Sequence, residues 1–352
     1  RPKMSTKLLL LLGLCMTWAE QSIAGRVNEG LNTCPLAFEI SPCSCTYDED
    51  LYEPDLYCPH IGSIEQLQEI FTTAHFPEKR FWRIRVSGAP LGDIPEDVFN
   101  DVAFDEIHLN ACNITSVHPD AFSASKPNMD TWEMYSNKLT DSSFPWSTLG
   151  EYPKLWWVHV DHNDFTTFPT LSSEYLEDIN LWKNPITYFG REQLSGAPNL
   201  RILNVSPYIE SFSGDSFLDL TQLEEIHLSN NNIGDLGAGQ ITLNSEKFSY
   251  LYLQNCSIAD IHPEAITGVM STRLKVFLEH NHLTQLQEEV FRPLTDHMLD
   301  GWGELELEDN PLICDCNMYW LLSNQTLLDN VRTGTCDDGT PLKDVDISEW
   351  NC

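Results

Sequence analysis

The chain has 352 residues, of which 41% are hydrophobic, so it carries enough apolar side chains for a large core, and a disordered chain is excluded. Its 20 lysine and arginine residues are outnumbered by 53 aspartate and glutamate residues, which gives a formal net charge of −33. This charge repels phosphate groups, so nucleic acids and anionic lipid surfaces are excluded as partners, whereas partners with basic patches are favoured.

The first predicted element is a secretory signal peptide over residues 1–24. Lys7 supplies its basic start, residues 8–18 form its apolar stretch, and Ser22 and Ala24 are the small residues before a cleavage site. This stretch is short for a membrane-spanning helix, which disfavours the alternative of an uncleaved anchor. No later segment reaches the ~18 apolar residues of a membrane span. We therefore expect a secreted, extracellular protein without a membrane span.

Cysteines cluster at both ends of the predicted mature chain. The first cluster lies in residues 25–62 and consists of Cys34, Cys43, Cys45 and Cys58. The second lies in residues 313–352 and consists of Cys314, Cys316, Cys336 and Cys352. Because export exposes cysteines to an oxidising environment, we expect disulfides. Zinc is the alternative, but the C-x-C pairs depart from the C-x2-C spacing of most structural zinc sites.

Residues 63–312 contain about ten repeats of 20 to 30 residues each, built on the template L-x-L-x-x-N-x-L. Eight segments match the template, at 107–114, 132–139, 158–165, 179–186, 226–233, 251–258, 276–283 and 305–312. Two more are degenerate: 84–91 has Ala89 at the asparagine position, and 203–209 is one residue short. In L-x-L the leucines point into a core while the x between them faces outward, and the asparagine is expected to satisfy buried backbone groups.

This period and template resemble leucine-rich repeats. The resemblance implies an α/β solenoid shaped as a horseshoe, with a parallel β-sheet on its concave side and irregular segments and short helices on its convex side. The segment from Asn310 to Trp320, NPLICDCNMYW, is similar to the cysteine-rich C-terminal cap of extracellular leucine-rich repeat proteins. That family implies disulfide caps at both ends, with the pairs Cys34–Cys45, Cys43–Cys58, Cys314–Cys336 and Cys316–Cys352.

A narrower resemblance rests on four features together: CPLAFEISPCSCTYDED near the start, SIEQLQEIF after Cys58, the divergent repeats, and CDCNMYWLL in the C-terminal cap. These are similar to a group of secreted arthropod proteins described by their likeness to the non-catalytic subunit of Oplophorus luciferase. That subunit is the leucine-rich repeat partner of a small light-emitting oxygenase. The resemblance implies a non-catalytic, stabilising subunit of a luciferase-like secreted complex.

Motifs of catalytic chemistry are absent from the sequence. It contains no G-x-S-x-G, H-E-x-x-H or P-loop pattern, and no EF-hand spacing that would turn its acidic residues into a calcium site. His108, His159 and His227 occupy the middle of L-x-L strands, where side chains face the concave surface rather than a pocket. We therefore predict that the protein is not an enzyme and has no catalytic residues, no cofactor and no metal.

A protein-binding patch is predicted from Tyr135, His159, Asp161 and Trp182, because aromatic residues are favoured at interfaces and these four share the concave face of neighbouring strands. A metal or a small ligand at His159 and Asp161 is the alternative. The leading hypothesis is a protein partner bound on the concave face or on a flank. The competing hypothesis is an adhesion, matrix or innate-immune recognition protein that binds a surface or a glycan.

Four sequons predict N-glycosylation, at Asn113, Asn204, Asn255 and Asn324. Asn204 lies in the middle of its strand and Asn255 lies just before the asparagine position, so their glycans would project near the concave face of the later repeats.

Two cysteines lie between the end clusters. Cys112 and Cys256 both occupy the asparagine position of the template. They are about six turns apart, or roughly 30 Å at ~4.8 Å per turn, so they cannot form a disulfide with each other. We predict that both are free, buried and unreactive.

Overall fold

The computed structural model describes residues 33–48, 53–298 and 302–352. The predicted signal peptide at 1–24 and residues 25–32 of the predicted N-terminal cap lie outside this part of the chain. Among the described residues, no helix is both long enough and apolar enough to cross a bilayer.

The described chain consists mainly of short strands joined by irregular segments, and each repeat of the solenoid adds one strand to the main sheet. Short helices lie between some of the strands. In chain order the strands and helices are β1 (Ser44–Asp48), β2 (Glu53–Pro59), α1 (Ile64–Thr73), β3 (Arg80–Ser87), β4 (Asp93–Ile94), β5 (Ala103–Asn110), β6 (Ser116–Val117), β7 (Thr131–Glu133), β8 (Trp157–His159), β9 (Asp178–Asn180), β10 (Tyr188–Phe189), α2 (Arg191–Leu194), β11 (Ile202–Asn204), β12 (Ser211–Phe212), β13 (Glu225–His227), β14 (Ile241–Asn244), β15 (Tyr250–Tyr252), β16 (Ile266–Val269), β17 (Lys275–Phe277), α3 (Glu288–Met298), β18 (Glu304–Glu306), α4 (Tyr319–Leu322) and α5 (Gln325–Leu328). Short 3-10 helices lie at Ser123–Ser125, Trp146–Glu151, Cys316–Met318 and Leu342–Asp344.

One twelve-stranded sheet connects the turns, in the order β1-β2-β3-β5-β7-β8-β9-β11-β13-β15-β17-β18. β1 pairs with β2 in the antiparallel sense, and every later pair in this sheet is parallel. Each of the ten template segments contains one of these strands. The predicted leucine-rich repeat solenoid with a parallel sheet is therefore confirmed.

The core lies behind this sheet and is closed on its far side by the short pairs β4–β6, β10–β12 and β14–β16. Within each strand of the template the flanking apolar residues are buried and the middle residue is half exposed, as for Ile226, His227 and Leu228. Phe189 and Phe212 stack at 5.2 Å on the far side, between β10 and β12. We call the outward surface of the twelve-stranded sheet the concave face.

A ladder of buried side chains at the asparagine position holds successive turns together. Asn137 donates to the carbonyls of Leu109 (2.8 Å) and Met134 (3.0 Å), and it accepts from the backbone N–H of Cys112 (2.9 Å) and Ile114 (3.0 Å). Other ladder asparagines make corresponding bonds, and they are Asn163, Asn184, Asn231, Asn281 and Asn310. These contacts confirm the predicted role of the asparagine, because each bond satisfies a backbone group that is buried from water.

Two departures from asparagine still bond to backbone carbonyls of the preceding turn with smaller groups. At the short repeat, the Ser206 hydroxyl is buried and donates to the carbonyl of Asn184. The Cys112 thiol donates to the carbonyls of Val86 (3.4 Å) and Asn110 (3.2 Å). Each of these groups retains one donor toward the backbone, so the ladder continues through both substitutions.

Disulfides hold both ends of the solenoid. Cys34 bonds Cys45 and Cys43 bonds Cys58 beside the antiparallel pair β1–β2, while Cys314 bonds Cys336 and Cys316 bonds Cys352 beyond β18. These are the four pairs that the family resemblance implies. In the C-terminal cap, the indole N–H of Trp320 donates to the carbonyl of Leu286 at 2.9 Å, so the cap is also bonded to the last turns.

Candidate functional site on the concave face

Strand register places the middle residues of the template in one column that runs along the concave face. From the first turns to the last, this column consists of Tyr57, Arg85, His108, Glu133, His159, Asn180, Asn204, His227, Tyr252, Phe277 and Glu306. Residues two positions earlier and later on each strand form the columns on either side. Because strands are ~4.8 Å apart, neighbours in one column are within contact distance of each other.

Ion pairs cover the first turns of this face. Arg83 and Arg85 both contact the buried Asp55, at 3.2 Å and 2.6 Å. Arg83 also lies 3.6 Å from Glu106, whose second oxygen accepts from the indole N–H of Trp82 at 3.0 Å. These charges neutralise one another across β2, β3 and β5, so the surface they cover has few free polar groups.

His108 is the centre of this charged region. Its Nε2 lies 3.1 Å from Glu106 and its Nδ1 lies 3.1 Å from Glu133, so both ring nitrogens face carboxylates. Burial acts to lower the pKa of His108, but the hydrogen bonds to Glu106 and Glu133 outweigh it and the pKa is raised. Burial acts to raise the pKa of Glu133, yet the hydrogen bond with His108 makes the net shift a lowering. The geometry thus favours the imidazolium between two carboxylates.

The predicted patch lies on the next three turns, β7, β8 and β9. Tyr135 is 39% exposed. His159 lies 3.2 Å from Asp178 and packs its ring on Trp157 at 4.2 Å.

The remaining two predicted residues are linked through a residue that sequence reasoning missed. Asp161 contacts His162 at 2.8 Å, and the His162 ring packs on Trp182 at 5.1 Å. Lys183 also lies over the Trp182 ring, with its Nζ 4.1 Å from the ring centroid. The structure therefore brings Asp161 and Trp182 together, whereas Tyr135 and His159 contribute from neighbouring positions. The sequence signal for His162 is its position in an exposed turn directly after Asp161.

Later turns carry a column of stacked rings that sequence reasoning also missed. Tyr252 stacks on His227 at 4.2 Å with an interplanar angle of 12°, and on Phe277 at 4.6 Å with an angle of 6°. Tyr250 lies parallel to Tyr252 at 6.2 Å on the same strand. We call these four residues the aromatic column. The signal was available, since His227, Tyr252 and Phe277 each occupy the middle of a template strand.

Known proteins with leucine-rich repeats are similar to this chain. A family model described as leucine rich repeat matches residues 174–233, which include the turns of β9, β11 and β13. The chain therefore has the leucine-rich repeat fold. It is 28% identical over 320 residues to the Oplophorus-luciferin 2-monooxygenase non-catalytic subunit of Oplophorus gracilirostris, which covers 89% of this chain and 86% of that relative.

Solved structures show the same fold in partner-binding assemblies. A chain of the Toll–Spatzle complex of Drosophila superposes with a TM-score of 0.56 at 18% identity, covering 85% of this chain and 45% of that chain. A chain of the octameric complex of latrophilin 3, Unc5D and FLRT2 (LRR) superposes with a TM-score of 0.61 at 17% identity, covering 85% of this chain and 90% of that chain. This protein therefore spans less than half of the first matched chain and nearly all of the second one.

The four sequons lie in different surroundings. Asn113 and Asn255 are exposed turn residues with φ of 53° and 54°. Asn204 lies on the concave face, paired in register with Asn180 and His227.

The fourth sequon residue, Asn324, caps helix α5, where its side-chain oxygen accepts from the N–H of Leu327 at 3.4 Å and leaves its amide nitrogen for a glycan. Glycosylation at all four positions stays a prediction.

The two cysteines between the caps, Cys112 and Cys256, are free and fully buried. Burial raises the pKa of the Cys112 thiol and raises that of Cys256 to about 11. A thiol with a raised pKa is a poor nucleophile at neutral pH because the thiolate is scarce. Their predicted lack of reactivity stays a prediction.

Proposed function

We propose that this chain is a secreted, non-catalytic protein that binds a protein partner through the middle of its concave face, as the stabilising subunit of an extracellular complex. The site consists of the predicted patch, Tyr135, His159, Asp161 and Trp182, together with His162. Its similarity to a non-catalytic subunit over 89% of the chain supports the role. The two disulfide-closed ends support an extracellular location.

The exposed aromatic side chains of this patch carry the proposal. Tyr135 is 39% exposed, and Trp182 is half-buried and held by contacts of its ring with His162 and Lys183. Aromatic residues that are held on a rigid sheet lose little side-chain entropy on binding, and they dominate the energy of many interfaces. The patch thus combines a fixed position with uncovered apolar area.

Contacts of the concave histidines support a non-catalytic role. His108 and His159 lie against carboxylates, and His162 lies between a carboxylate and an indole. Nucleophilic catalysis needs a histidine beside a hydroxyl or thiol that it can activate. The two free thiols, Cys112 and Cys256, are instead buried among backbone carbonyls.

Isolation of the protein from its native secretion tests this proposal. We expect a second protein to co-purify in a fixed ratio, and we expect Trp182→Ala to weaken that association at least 10-fold. Tyr188→Ala is the matched control, because Tyr188 is 50% exposed and lies on β10, away from the concave face. Equal weakening by both variants contradicts the assigned site. Binding to particles, matrix or glycans without a stoichiometric protein supports the recognition alternative, and turnover of a substrate by the isolated chain contradicts a non-catalytic role.

A further inference from the structure

One edge of the twelve-stranded sheet differs in chemistry from the rest of this acidic surface. It is formed by the first residues of the strands from β8 to β18 and by the residues shortly before them, and we call it the leading edge. Its aromatic and basic members are Lys154, Trp156, Tyr175, Arg201, Lys247, Tyr250, Arg273, Lys275 and Trp302.

Two neighbouring clefts open along the leading edge. The first has a volume of about 710 Å³ and extends from Lys154 to Lys247. The second has a volume of about 510 Å³ and is lined by Ser249, Tyr250, Arg273, Lys275 and Trp302. Because Lys247 and Ser249 are two residues apart, the clefts are consecutive parts of one groove.

Unpaired cations are concentrated on this edge. Sixteen lysine and arginine side chains lie among the described residues, and ten of them have a carboxylate within 4.0 Å. The other six in this part of the chain are Lys138, Lys154, Lys183, Lys247, Arg273 and Lys343. Three of the six line the groove.

Neutral groups hold two of these three cations. Lys154 donates to the side-chain oxygen of Asn128 at 3.2 Å, and Lys247 donates to that of Gln222 at 2.6 Å. Glu174, Glu177 and Glu224 also line the first cleft, but none of them lies within 4.0 Å of either lysine, so both ammonium groups can still pair with carboxylates of a ligand. Arg201 differs, because Glu177 and Glu224 hold it at 2.9 Å each and already neutralise it.

Apolar area accompanies these charges. Trp156 and Tyr175 are each 43% exposed at one end of the groove, and Trp302 is 80% exposed at the other. Tyr250 belongs to both the groove and the aromatic column, in which it lies parallel to Tyr252. Exposed tryptophan, tyrosine and arginine together form the composition that is enriched at interface hot spots.

We infer that the leading edge binds an extended acidic segment, with at least one aromatic side chain, from the protein partner. This inference rests on the proposed function, in which a partner is bound. The seven strands from β8 to β18 are separated by six spacings of ~4.8 Å, so the groove spans about 29 Å, the reach of about nine extended residues at ~3.3 Å each. Carboxylates of the segment pair with Lys154, Lys247 and Arg273, while its apolar side chains cover the exposed rings. This local attraction opposes the general preference of an acidic chain for basic partners.

A peptide experiment tests the edge without the native partner. The probe is a fluorescent nine-residue peptide that alternates glutamate with phenylalanine, measured by anisotropy on the full secreted chain. We expect saturable binding that Lys247→Glu weakens at least 10-fold, whereas the matched control Lys343→Glu leaves it within twofold. Trp302→Ala is expected to weaken binding at least fivefold, and Phe38→Ala, which removes a ring that is 77% exposed in the N-terminal cap, to leave it unchanged.

Three results overturn the inference. They are equal binding of a peptide with lysine in place of glutamate, equal weakening by Lys247→Glu and Lys343→Glu, and binding of a sulfated oligosaccharide where the acidic peptide does not bind.

Experiments on the native complex distinguish failure of the proposed function from failure of the leading-edge inference. Loss of the partner in Trp182→Ala but not in Lys247→Glu contradicts the edge and leaves the proposed function standing. A chain that binds the peptide through the edge but holds no protein in its secretion contradicts the proposed function alone.

Discussion

The turns around Cys112 and Cys256 have the same hydrogen bonds in their interior but different side chains on their concave surface. The backbone N–H of Cys112 donates to Asn137 at 2.9 Å, and that of Cys256 donates to Asn281 at 3.0 Å. Each thiol donates to a carbonyl of the preceding turn, that of Val86 at 3.4 Å and that of Leu228 at 3.1 Å. The interior is thus repeated almost bond for bond, 144 residues later in the chain.

Outside, the same two turns carry different chemistry. The turn of Cys112 exposes Glu106 and His108 in a closed network of charges, whereas the turn of Cys256 exposes Tyr250 and Tyr252 among stacked rings. The interior is constrained because every buried backbone group needs a partner. The outward positions have no such constraint, so they are the part of each repeat that can specialise for binding.

The largest expected effect tests whether the two interiors are equivalent. Asn137→Ala and Asn281→Ala each remove the side-chain partner of two N–H groups and of one carbonyl, that of Leu109 or Leu253, so each is expected to lower the free energy of unfolding by about 3–5 kcal/mol. Urea unfolding followed by circular dichroism measures both. Asn244→Ala, which removes one exposed bond to Leu218, is the control, and we expect a change below about 1 kcal/mol. A large loss of unfolding free energy in only one of the two ladder variants would show that the two interiors are not equivalent.

A smaller effect, dependent on pH, is expected on the charged surface. Because the folded pKa of His108 is raised, its stabilisation is complete below the ordinary histidine pKa of ~6.5 and is lost as the pH rises through the folded pKa. Because the folded pKa of Glu133 is lowered, its stabilisation is present above ~4.3 and is lost as the pH falls through the folded pKa. The destabilisation by His108→Gln is therefore expected to peak near pH 5.5, at about 1–2 kcal/mol, and to shrink by pH 9.

Tyr252→Phe provides the counterpart of that experiment on the aromatic surface. Burial, followed by the nearby Glu225 and Tyr250, raises the pKa of Tyr252 above its ordinary value, so the phenol stays neutral throughout the range. The difference in free energy of unfolding between Tyr252→Phe and the wild type, measured in urea, is expected to be constant from pH 5 to pH 9. A pH-dependent difference for Tyr252→Phe, or a flat one for His108→Gln, contradicts the contrast between the two surfaces.

The smallest effect is expected from shortening the aromatic column. Tyr252→Ala removes the stacking contacts with His227 and Phe277 but no buried core, so thermal unfolding is expected to show a loss of about 1 kcal/mol. Tyr208→Ala, at a residue 54% exposed outside the column, is the control and is expected to change stability by less than about 0.5 kcal/mol. A loss as large as that of the ladder variants would show that these rings belong to the core.

Prediction from the sequence was most successful where one residue pattern has one physical solution. The template placed Cys112 and Cys256 at ladder positions, and both are buried there with backbone partners. It also placed Trp182 and Asp161 on one surface. It missed His162, which links these two, because that contact depends on how an exposed turn bends and has no fixed spacing in the template.

Hydrophobic period and the ladder position determined the solenoid from sequence alone, since a repeat of this length can bury its leucines and satisfy its backbone only by stacking on its neighbours. Tertiary structure decided which outward residues neutralise each other and which remain available. His108 and Glu133 are as polar in the sequence as Lys247, yet register places the first two against each other and Lys247 against a neutral amide. That difference arises between residues on separate turns, where the distance along the chain gives no measure of the distance in space.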